Sequence, residues 1–106
     1  MTRFNRGDVV IVDLGLVQKV RPCVVVSAPK PDRERNMSVV VPLTTEIRGG
    51  ECEIPFPKPT WLRSPSVINV LGIAGIDNSK IERRIAPLSE ATMETVDAAL
   101  RRLLTL

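Results

Sequence analysis

Two short apolar runs near the centre of the chain, both dominated by β-branched residues, constrain the fold most. The first reads Val-Arg-Pro-Cys-Val-Val-Val-Ser at 20–27 and the second Ser-Val-Val-Val-Pro-Leu-Thr-Thr at 38–45. The segment between them is polar and includes Pro29, Pro31 and Asn36. β-Branched runs joined by turn-forming residues are typical of paired strands. The pattern therefore predicts a β-hairpin at the heart of a mainly β fold.

The register of this hairpin places two polar residues together. If the strands pair symmetrically about the middle of the connecting segment, with no intervening bulge, Val24 faces Val41 and Arg21 faces Thr44. Directly opposed residues share a face of the sheet, with Cβ atoms about 5 Å apart. A guanidinium and a hydroxyl would then converge at the open end of the hairpin, where a ligand has access.

Arg21 is the strongest candidate for a functional residue. Pro22 restricts the backbone just after it, and the apolar residues that follow anchor the strand. A rigidly held fork of N–H donors suits a phosphate group. The alternative is an ordinary surface arginine that is solvated or ion-paired, and Thr44 alone could equally be an ordinary strand residue.

The rest of the chain predicts further short strands and one helix, within a single domain spanning residues 1–106. Apolar patterning predicts strands over 7–14, 51–56, 66–71 and 84–88. A short helical turn is expected over 79–83, capped by Asp77 and Asn78, whereas 73–76 is ambiguous because Gly72 and Gly75 flank or interrupt it. Ser89 is a suitable N-cap for an amphipathic helix over 90–104, whose apolar residues recur at helical spacing.

Composition indicates where the protein acts and argues against metal, cofactor and disulfide chemistry. The net charge is +3 with a pI of about 9.3, a mild bias toward polyanions, and residues 1–35 carry the surplus. Cys23 and Cys52 have no metal-ligand spacing, so no metal, cofactor or disulfide is predicted. The chain shows neither a signal-like start nor an apolar run near the ~20 residues needed to span a bilayer, which predicts a cytoplasmic protein without membrane contact.

Several motifs, in this order, resemble the MazF/PemK family of toxins from bacterial toxin–antitoxin pairs. They extend from about residue 6 to residue 104 and comprise Arg6-Gly7-Asp8-Val9-Val10, Arg21-Pro22-Cys23-Val24, Val41-Pro42-Leu43-Thr44-Thr45, Pro65-Ser66-Val67-Ile68, Ile76-Asp77 and the tail from Arg84 to Leu100. The resemblance implies a small SH3-like β-barrel with a C-terminal α-helix that forms a homodimer. It also implies a metal-independent endoribonuclease that cuts single-stranded RNA, and a cognate antitoxin as partner. The family's catalytic arginine and threonine correspond to Arg21 and Thr44.

Five further residues are candidates for RNA binding: Lys19, Thr45, Trp61, Arg63 and Asn69. Trp61, the only tryptophan, is interpreted first as a packing anchor. The alternative is a stacking platform for an RNA base, with Arg63 as a phosphate contact. Asn69 is a polar residue inside a predicted strand and would point either into an RNA groove or outward.

The absence of histidine limits how such an enzyme could work. Cleavage by the RNA 2′-OH requires its deprotonation, stabilisation of the charged phosphorus centre and protonation of the leaving 5′-oxygen. A guanidinium that acted as a neutral base at pH 7 would cost roughly 7 kcal/mol, since its pKa is at least about 12.5. Arg21 is therefore expected to stabilise charge, and Thr44 to hydrogen-bond a non-bridging oxygen.

Two alternatives to the nuclease remain open. One is a non-catalytic toxin on the same fold that binds a protein such as DNA gyrase through the C-terminal helix. The other is a degenerate family member that binds only RNA or antitoxin. The second alternative rests on Gly72 and Ala74, which stand where many family members carry a Gln-x-Arg pattern.

Overall fold

A computed structural model describes residues 4–13, 20–29, 31, 33–56, 59 and 61–106. These residues form a seven-stranded sheet, two short 3₁₀ turns and one α-helix. The strands are β1 (Asp8–Asp13), β2 (Val20–Val25), β3 (Met37–Thr44), β4 (Glu53–Pro55), β5 (Val67–Asn69), β6 (Ala74–Asp77) and β7 (Ile81–Pro87). The helix is α1 (Glu90–Leu104), and the 3₁₀ turns span Val70–Gly72 and Asn78–Lys80.

The central hairpin forms with the predicted register. Strands β2 and β3 are antiparallel, and Val24 lies opposite Val41, with Cys23–Pro42 and Val25–Val40 as the flanking pairs. The ladder ends at Cys23–Pro42, and the same register continued by two residues toward the open end would put Arg21 opposite Thr44. The β-branched runs therefore define both strands and their alignment.

Strand β3 holds the sheet together because it pairs with three other strands. Along one edge it pairs with β2, and along the other its first half pairs with β6 and its last two residues with β5. The main path of paired strands runs β4-β5-β3-β2-β1-β7. Among the described residues this path is open, with no ladder between its two ends, so the pairings define a mainly β fold with a C-terminal helix and do not by themselves show a barrel.

The sheet has two apolar faces. The face that we call the helix face includes Val9, Val24, Val41 and Leu43 and packs against one side of α1. The face that we call the far face carries a second buried cluster, formed by Val10, Val12, Cys23, Val25, Val40 and Ile81 with Phe4 and Ile76 packed against it. Because successive strand residues point to opposite faces, consecutive residues of β2 and β3 place their side chains alternately on the helix face and on the far face.

The C-terminal region corrects one sequence prediction and confirms another. Helix α1 begins and ends where its periodicity predicts, and the Ser89 hydroxyl caps it by accepting a hydrogen bond from the Thr92 N–H over 3.2 Å. The helical turn predicted over 79–83 is wrong in extent: it spans only Asn78–Lys80, because Ile81 and Arg83 pair with β1 as part of β7. Asp77 does cap that turn, through a 2.9 Å hydrogen bond from the Ser79 N–H.

The segment that the sequence left ambiguous is strand β6. Ser38 pairs with Ile76 and Val39 with Gly75 along the first half of β3.

In the described part of the chain, no helix is long and apolar enough to cross a membrane.

Candidate functional site

Arg21 lies near the start of β2 and is half-buried. It pairs with Val12 of β1 and shares the far face with Cys23, two residues further along the strand. Burial raises the pKa of the Cys23 thiol to about 11, and the positive charge of Arg21 opposes this increase. The Arg21 charge is therefore held close to the buried far-face cluster, at its rim.

Thr44 is the last residue of β3 and is also half-buried. Its Oγ1 accepts a hydrogen bond from the Glu46 N–H over 3.1 Å, in the turn that ends the strand. A hydroxyl that accepts one hydrogen bond still has a proton to donate. Thr44 is thus oriented by its own backbone turn and retains a donor for an incoming oxygen.

A second group of sequence candidates converges on a separate cavity of about 380 Å³. Thr45, Trp61 and Arg63 all line it, together with Ile11, Pro22, Leu62, Ser64, Arg83 and Ile85. Pro22 and Thr45 directly follow Arg21 and Thr44 in sequence. The cavity is therefore next to the catalytic candidates but reached from the other face of the strands.

Trp61 has a structural role and also lines this cavity. The side chain is half-buried and packs against the core beneath α1, as the anchor interpretation predicts. Because the ring also lines the cavity, the position is compatible with stacking on a base.

Arg83 is a site residue that sequence reasoning missed. It lies in β7 opposite Ile11 and lines the cavity together with Arg63, so two arginines contribute to the same cavity. The start of β7 reads Ile-Glu-Arg-Arg-Ile, without alternation of apolar and polar residues, so the sequence pattern predicts a helical turn over 79–83 in place of a strand. An error in the secondary-structure prediction thus hid a basic residue of the site.

The remaining candidates are not brought to this cavity. The Asn69 side chain accepts a hydrogen bond from the Leu71 N–H over 3.2 Å and caps the Val70–Gly72 turn, and Asn69 does not line the cavity. Lys19 lies outside the described residues. No group of three or more Cys, Asp or Glu side chains that could hold a metal ion occurs within the described ranges.

These features define a class: a small, mainly β protein with a C-terminal helix and an arginine–threonine pair at the open end of its central hairpin. A family model described as "PemK-like, MazF-like toxin of type II toxin-antitoxin system" matches residues 5–104. The chain belongs to this MazF/PemK toxin family. No curated protein sequence matches the chain.

Solved structures share the fold over nearly the whole chain. A mycobacterial endoribonuclease in complex with its cognate antitoxin is 25% identical, with a TM-score of 0.82 and coverage of 97% of this chain and 96% of that one. The Mycobacterium tuberculosis toxin MazF-mt6 is 23% identical, with a TM-score of 0.79 and coverage of 93% and 97%. MazF in a MazE–MazF complex from Deinococcus radiodurans is 18% identical, with a TM-score of 0.81 and coverage of 100% and 99%.

Proposed function

We propose that this chain is a sequence-specific, metal-independent endoribonuclease that cleaves single-stranded RNA and thereby inhibits translation. The observation that carries the proposal is the hairpin register of Cys23–Pro42, Val24–Val41 and Val25–Val40, whose continuation would put half-buried Arg21 and Thr44 on one face at the open end of β2 and β3. Family membership and the endoribonuclease neighbours support the same reaction class.

In the proposed reaction, the RNA 2′-oxygen attacks the adjacent phosphorus and the bond to the 5′-oxygen breaks. The products are a 2′,3′-cyclic phosphate and a 5′-hydroxyl end, which takes up a proton. Arg21 stabilises the charge that develops on the phosphorus centre and donates an N–H hydrogen bond to the leaving oxygen, which takes its proton from solvent. The Thr44 hydroxyl donates to a non-bridging oxygen, and a solvent or phosphate oxygen removes the 2′ proton.

The cavity of Thr45, Trp61 and Arg63 is proposed to bind a nucleotide next to the cleaved bond. Its Trp61 ring offers a stacking surface, which contributes about 1–3 kcal/mol per base, and Arg63 and Arg83 offer phosphate contacts. Because this cavity and Arg21 lie on opposite faces, the RNA would bend around the open end of the hairpin. Lys19 and Asn69 are proposed as outer RNA contacts.

We also propose an architecture and an assembly for the chain. We infer that the sheet curls into an SH3-like barrel, since β6 and β7 are joined directly by the Asn78–Lys80 turn and the far-face cluster is buried without a contribution from the helix. Family membership supports a single domain over 1–106, a cytoplasmic homodimer and inhibition by a cognate antitoxin. The structural neighbours include complexes with an antitoxin.

The test is cleavage of a long single-stranded RNA by purified protein in the presence of EDTA, with the fragment ends mapped. Wild type should give site-restricted fragments with 5′-hydroxyl ends, and Arg21→Ala should lower the rate by about a hundredfold or more. Arg102→Ala, an exposed arginine of α1 away from the site, is the matched control and should cleave normally.

Intact RNA at high excess of folded, antitoxin-free wild type would overturn the nuclease and leave a binding protein. Cleavage that is equally fast in Arg21→Ala, or that EDTA abolishes, would overturn the assigned mechanism instead. Circular dichroism of each variant separates loss of catalysis from loss of folding.

A further inference from the structure

The loop that follows Thr44 is organised around one carboxylate. This loop, which we call the β3–β4 loop, spans residues 45–52, and Glu53 is the first residue of β4. The Glu53 carboxylate accepts hydrogen bonds from two successive backbone N–H groups of the loop. Arg48 donates over 3.0 Å to each oxygen, and Gly49 donates over 2.7 Å to Oε1. Successive N–H groups in a turn form a concavity that binds anions, and here the Glu53 side chain fills it.

The loop turns sharply at Gly49. The φ of Gly49 is +85°, in the left-handed region that glycine adopts readily and most other residues do not. The Glu53 N–H also donates to the Gly50 carbonyl oxygen over 3.1 Å. Glu53 therefore holds the turn twice, through its carboxylate and through its backbone.

Strand pairing fixes Glu53 relative to Thr44. Strands β3 and β4 both pair with β5, in which Val67 lies opposite Thr44 and Asn69 lies opposite Glu53. Ile54, the neighbour of Glu53, is 7% exposed and belongs to the core beneath α1. The carboxylate that holds the loop thus stands on a rigid framework that also carries the threonine.

A continuous set of contacts leads from Glu53 to the Thr44 hydroxyl. The Arg48 backbone is bound by Glu53, and the Arg48 guanidinium donates to the Glu46 carboxylate over 3.1 Å. The Glu46 N–H in turn donates to Thr44 Oγ1 over 3.1 Å. Because the Glu46–Arg48 ion pair is exposed, it adds little by itself. The direction of the Thr44 hydroxyl therefore depends on the loop backbone, and Glu53 holds that backbone.

We propose that Glu53 is a positioning residue for RNA cleavage: by holding the β3–β4 loop, it keeps the Thr44 hydroxyl directed at a non-bridging oxygen of the cleaved phosphate. The inference rests on the proposed function, in which Thr44 contacts that phosphate. Glu53 contacts no reacting atom itself, because its carboxylate is occupied by the N–H groups of the loop. A misplacement of about 1 Å can cost about a hundredfold in rate, so loss of the anchor should slow the chemical step.

The test is single-turnover cleavage of a labelled single-stranded RNA over a series of enzyme concentrations. We expect Glu53→Ala to lower the saturating rate constant about ten- to hundredfold. The enzyme concentration that gives the half-maximal rate should stay within about twofold of wild type, because the cavity of Trp61 and Arg63 is unchanged. An equal rate constant in folded Glu53→Ala and in active wild type would overturn the inference.

A double-variant cycle separates positioning from a general effect on the fold. Thr44→Val removes the hydroxyl and keeps a β-branched side chain. In that background Glu53→Ala should change the rate constant by less than about twofold, because no hydroxyl remains to be oriented. If Glu53→Ala lowers the rate by the same factor in both backgrounds, it does not act through Thr44.

Two variants serve as matched comparisons. Glu51→Ala removes an exposed carboxylate of the same loop that makes no side-chain hydrogen bond within the described residues, and it should cleave within about twofold of wild type. Glu53→Gln keeps one side-chain oxygen as an acceptor and should retain more activity than Glu53→Ala.

Gly49 offers a second route to the same turn if Glu53→Ala does not fold. A Cβ at Gly49 would have no atom within 4 Å, so substitutions there act through the backbone conformation and not through a clash. Gly49→Val is strained at a positive φ and should lower the rate constant, whereas Gly49→Asn tolerates this region and should retain more activity. Equal rates for wild type and Gly49→Val would contradict the proposal.

Amide hydrogen exchange, followed by NMR on the same proteins, tests the link without RNA. Glu53→Ala should speed exchange of the Glu46 N–H together with those of Arg48 and Gly49, while the Val41 N–H in β3 keeps its protection. Unchanged exchange at Glu46 would overturn the link to Thr44. A wild type that cannot cleave RNA would refute the proposed nuclease, and the exchange result would still decide whether Glu53 orients Thr44.

Discussion

The backbone of Gly72 packs directly against the ring of Pro42: a Cβ placed on Gly72 would lie 2.7 Å from the Pro42 Cγ. Pro42 stands two residues before Thr44 on the same strand. The absence of a side chain at position 72 thus has a packing reason in this chain. A side chain at position 72 has no room while proline occupies position 42.

We therefore predict that Gly72→Ala lowers the free energy of unfolding by about 1–3 kcal/mol, the usual cost of overpacking. Gly75→Ala is the matched control, since its Cβ would make an ordinary 3.7 Å contact, and it should be neutral or stabilising by about 0.4–1 kcal/mol. Urea denaturation measures both. If Pro42→Ala does not relieve the Gly72→Ala loss in the double variant, the Pro42 clash is not its cause.

The Asp8 carboxylate is predicted to matter more for stability than other ion-paired carboxylates. Asp8 is 6% exposed, and its Oδ2 accepts hydrogen bonds from the Arg84 Nε over 2.6 Å and from the Asn5 N–H over 2.8 Å. Asp8→Ala leaves these donors without their acceptor and should cost about 1–3 kcal/mol.

Glu46→Ala provides the comparison for Asp8 in the same denaturation experiment. It removes an exposed ion pair with Arg48 and should cost at most about 0.5 kcal/mol. Equal losses for the two variants would contradict the prediction that the burial of Asp8 sets its contribution.

Cys23 is predicted to be a protonated, unreactive thiol at neutral pH. Burial raises its pKa to about 11, partly offset by Arg21, whereas Cys52 is only half-buried. With Ellman's reagent at pH 8, Cys52 should react promptly and Cys23 only after unfolding. Because the folded-state pKa is raised, the stability contribution is complete below the ordinary thiol pKa of about 8.5 and is lost as the pH rises toward 11.

Arg21→Ala provides an independent check on the position of Arg21. Removing its positive charge should raise the pKa of Cys23 further, measured as thiolate absorbance against pH. An unchanged titration in the folded variant would show that the Arg21 charge is not near Cys23.

The cavity next to the catalytic candidates is predicted to contribute to RNA affinity. In an Arg21→Ala background, which prevents cleavage, Trp61→Ala should weaken binding of single-stranded RNA about tenfold, and Trp61→Phe should retain most of the affinity. Arg83→Ala should reduce the slope of log affinity against log salt by about 0.7, the value for one single-strand phosphate contact.

Fluorescence anisotropy over a salt series measures these effects. Arg102→Ala should leave the slope unchanged, and unfolding curves must show that the Trp61 variants remain folded, because this side chain also packs on the core. If Trp61→Ala is folded and binds RNA normally, the residue is an anchor only.

The sequence alone predicted the hairpin that carries the catalytic candidates. The β-branched runs and the turn between them define β2, β3 and the alignment of Val24 with Val41, because a hairpin register follows from local pattern. Arg21 and Thr44 could be paired on that basis. Helix α1 could also be predicted from the sequence, since Ser89 and the spacing of Met93 and Val96 are local signals.

The cavity lined by Thr45, Trp61 and Arg63 could not be predicted from the sequence in this way. Its cavity combines β1, the start of β2, the end of β3, the Trp61 loop and β7, and no local pattern states which distant segments meet. Arg83 was assigned to a helical turn, although pairing with Ile11 makes it a strand residue. The sequence left open whether Asn69 points into a groove or outward, and only the fold shows that its amide oxygen caps a 3₁₀ turn.

What the sequence by itself determined is therefore most of the strands, the C-terminal helix and the register of the central hairpin, on which the proposed alignment of Arg21 with Thr44 rests. The tertiary structure decided which strands flank β3, why glycine faces Pro42, and which distant segments line the cavity of Thr45, Trp61 and Arg63. The physical reason is the distance along the chain over which each kind of signal acts. Strand and helix patterns act over a few neighbouring residues, whereas cavities depend on the packing of segments far apart in the chain.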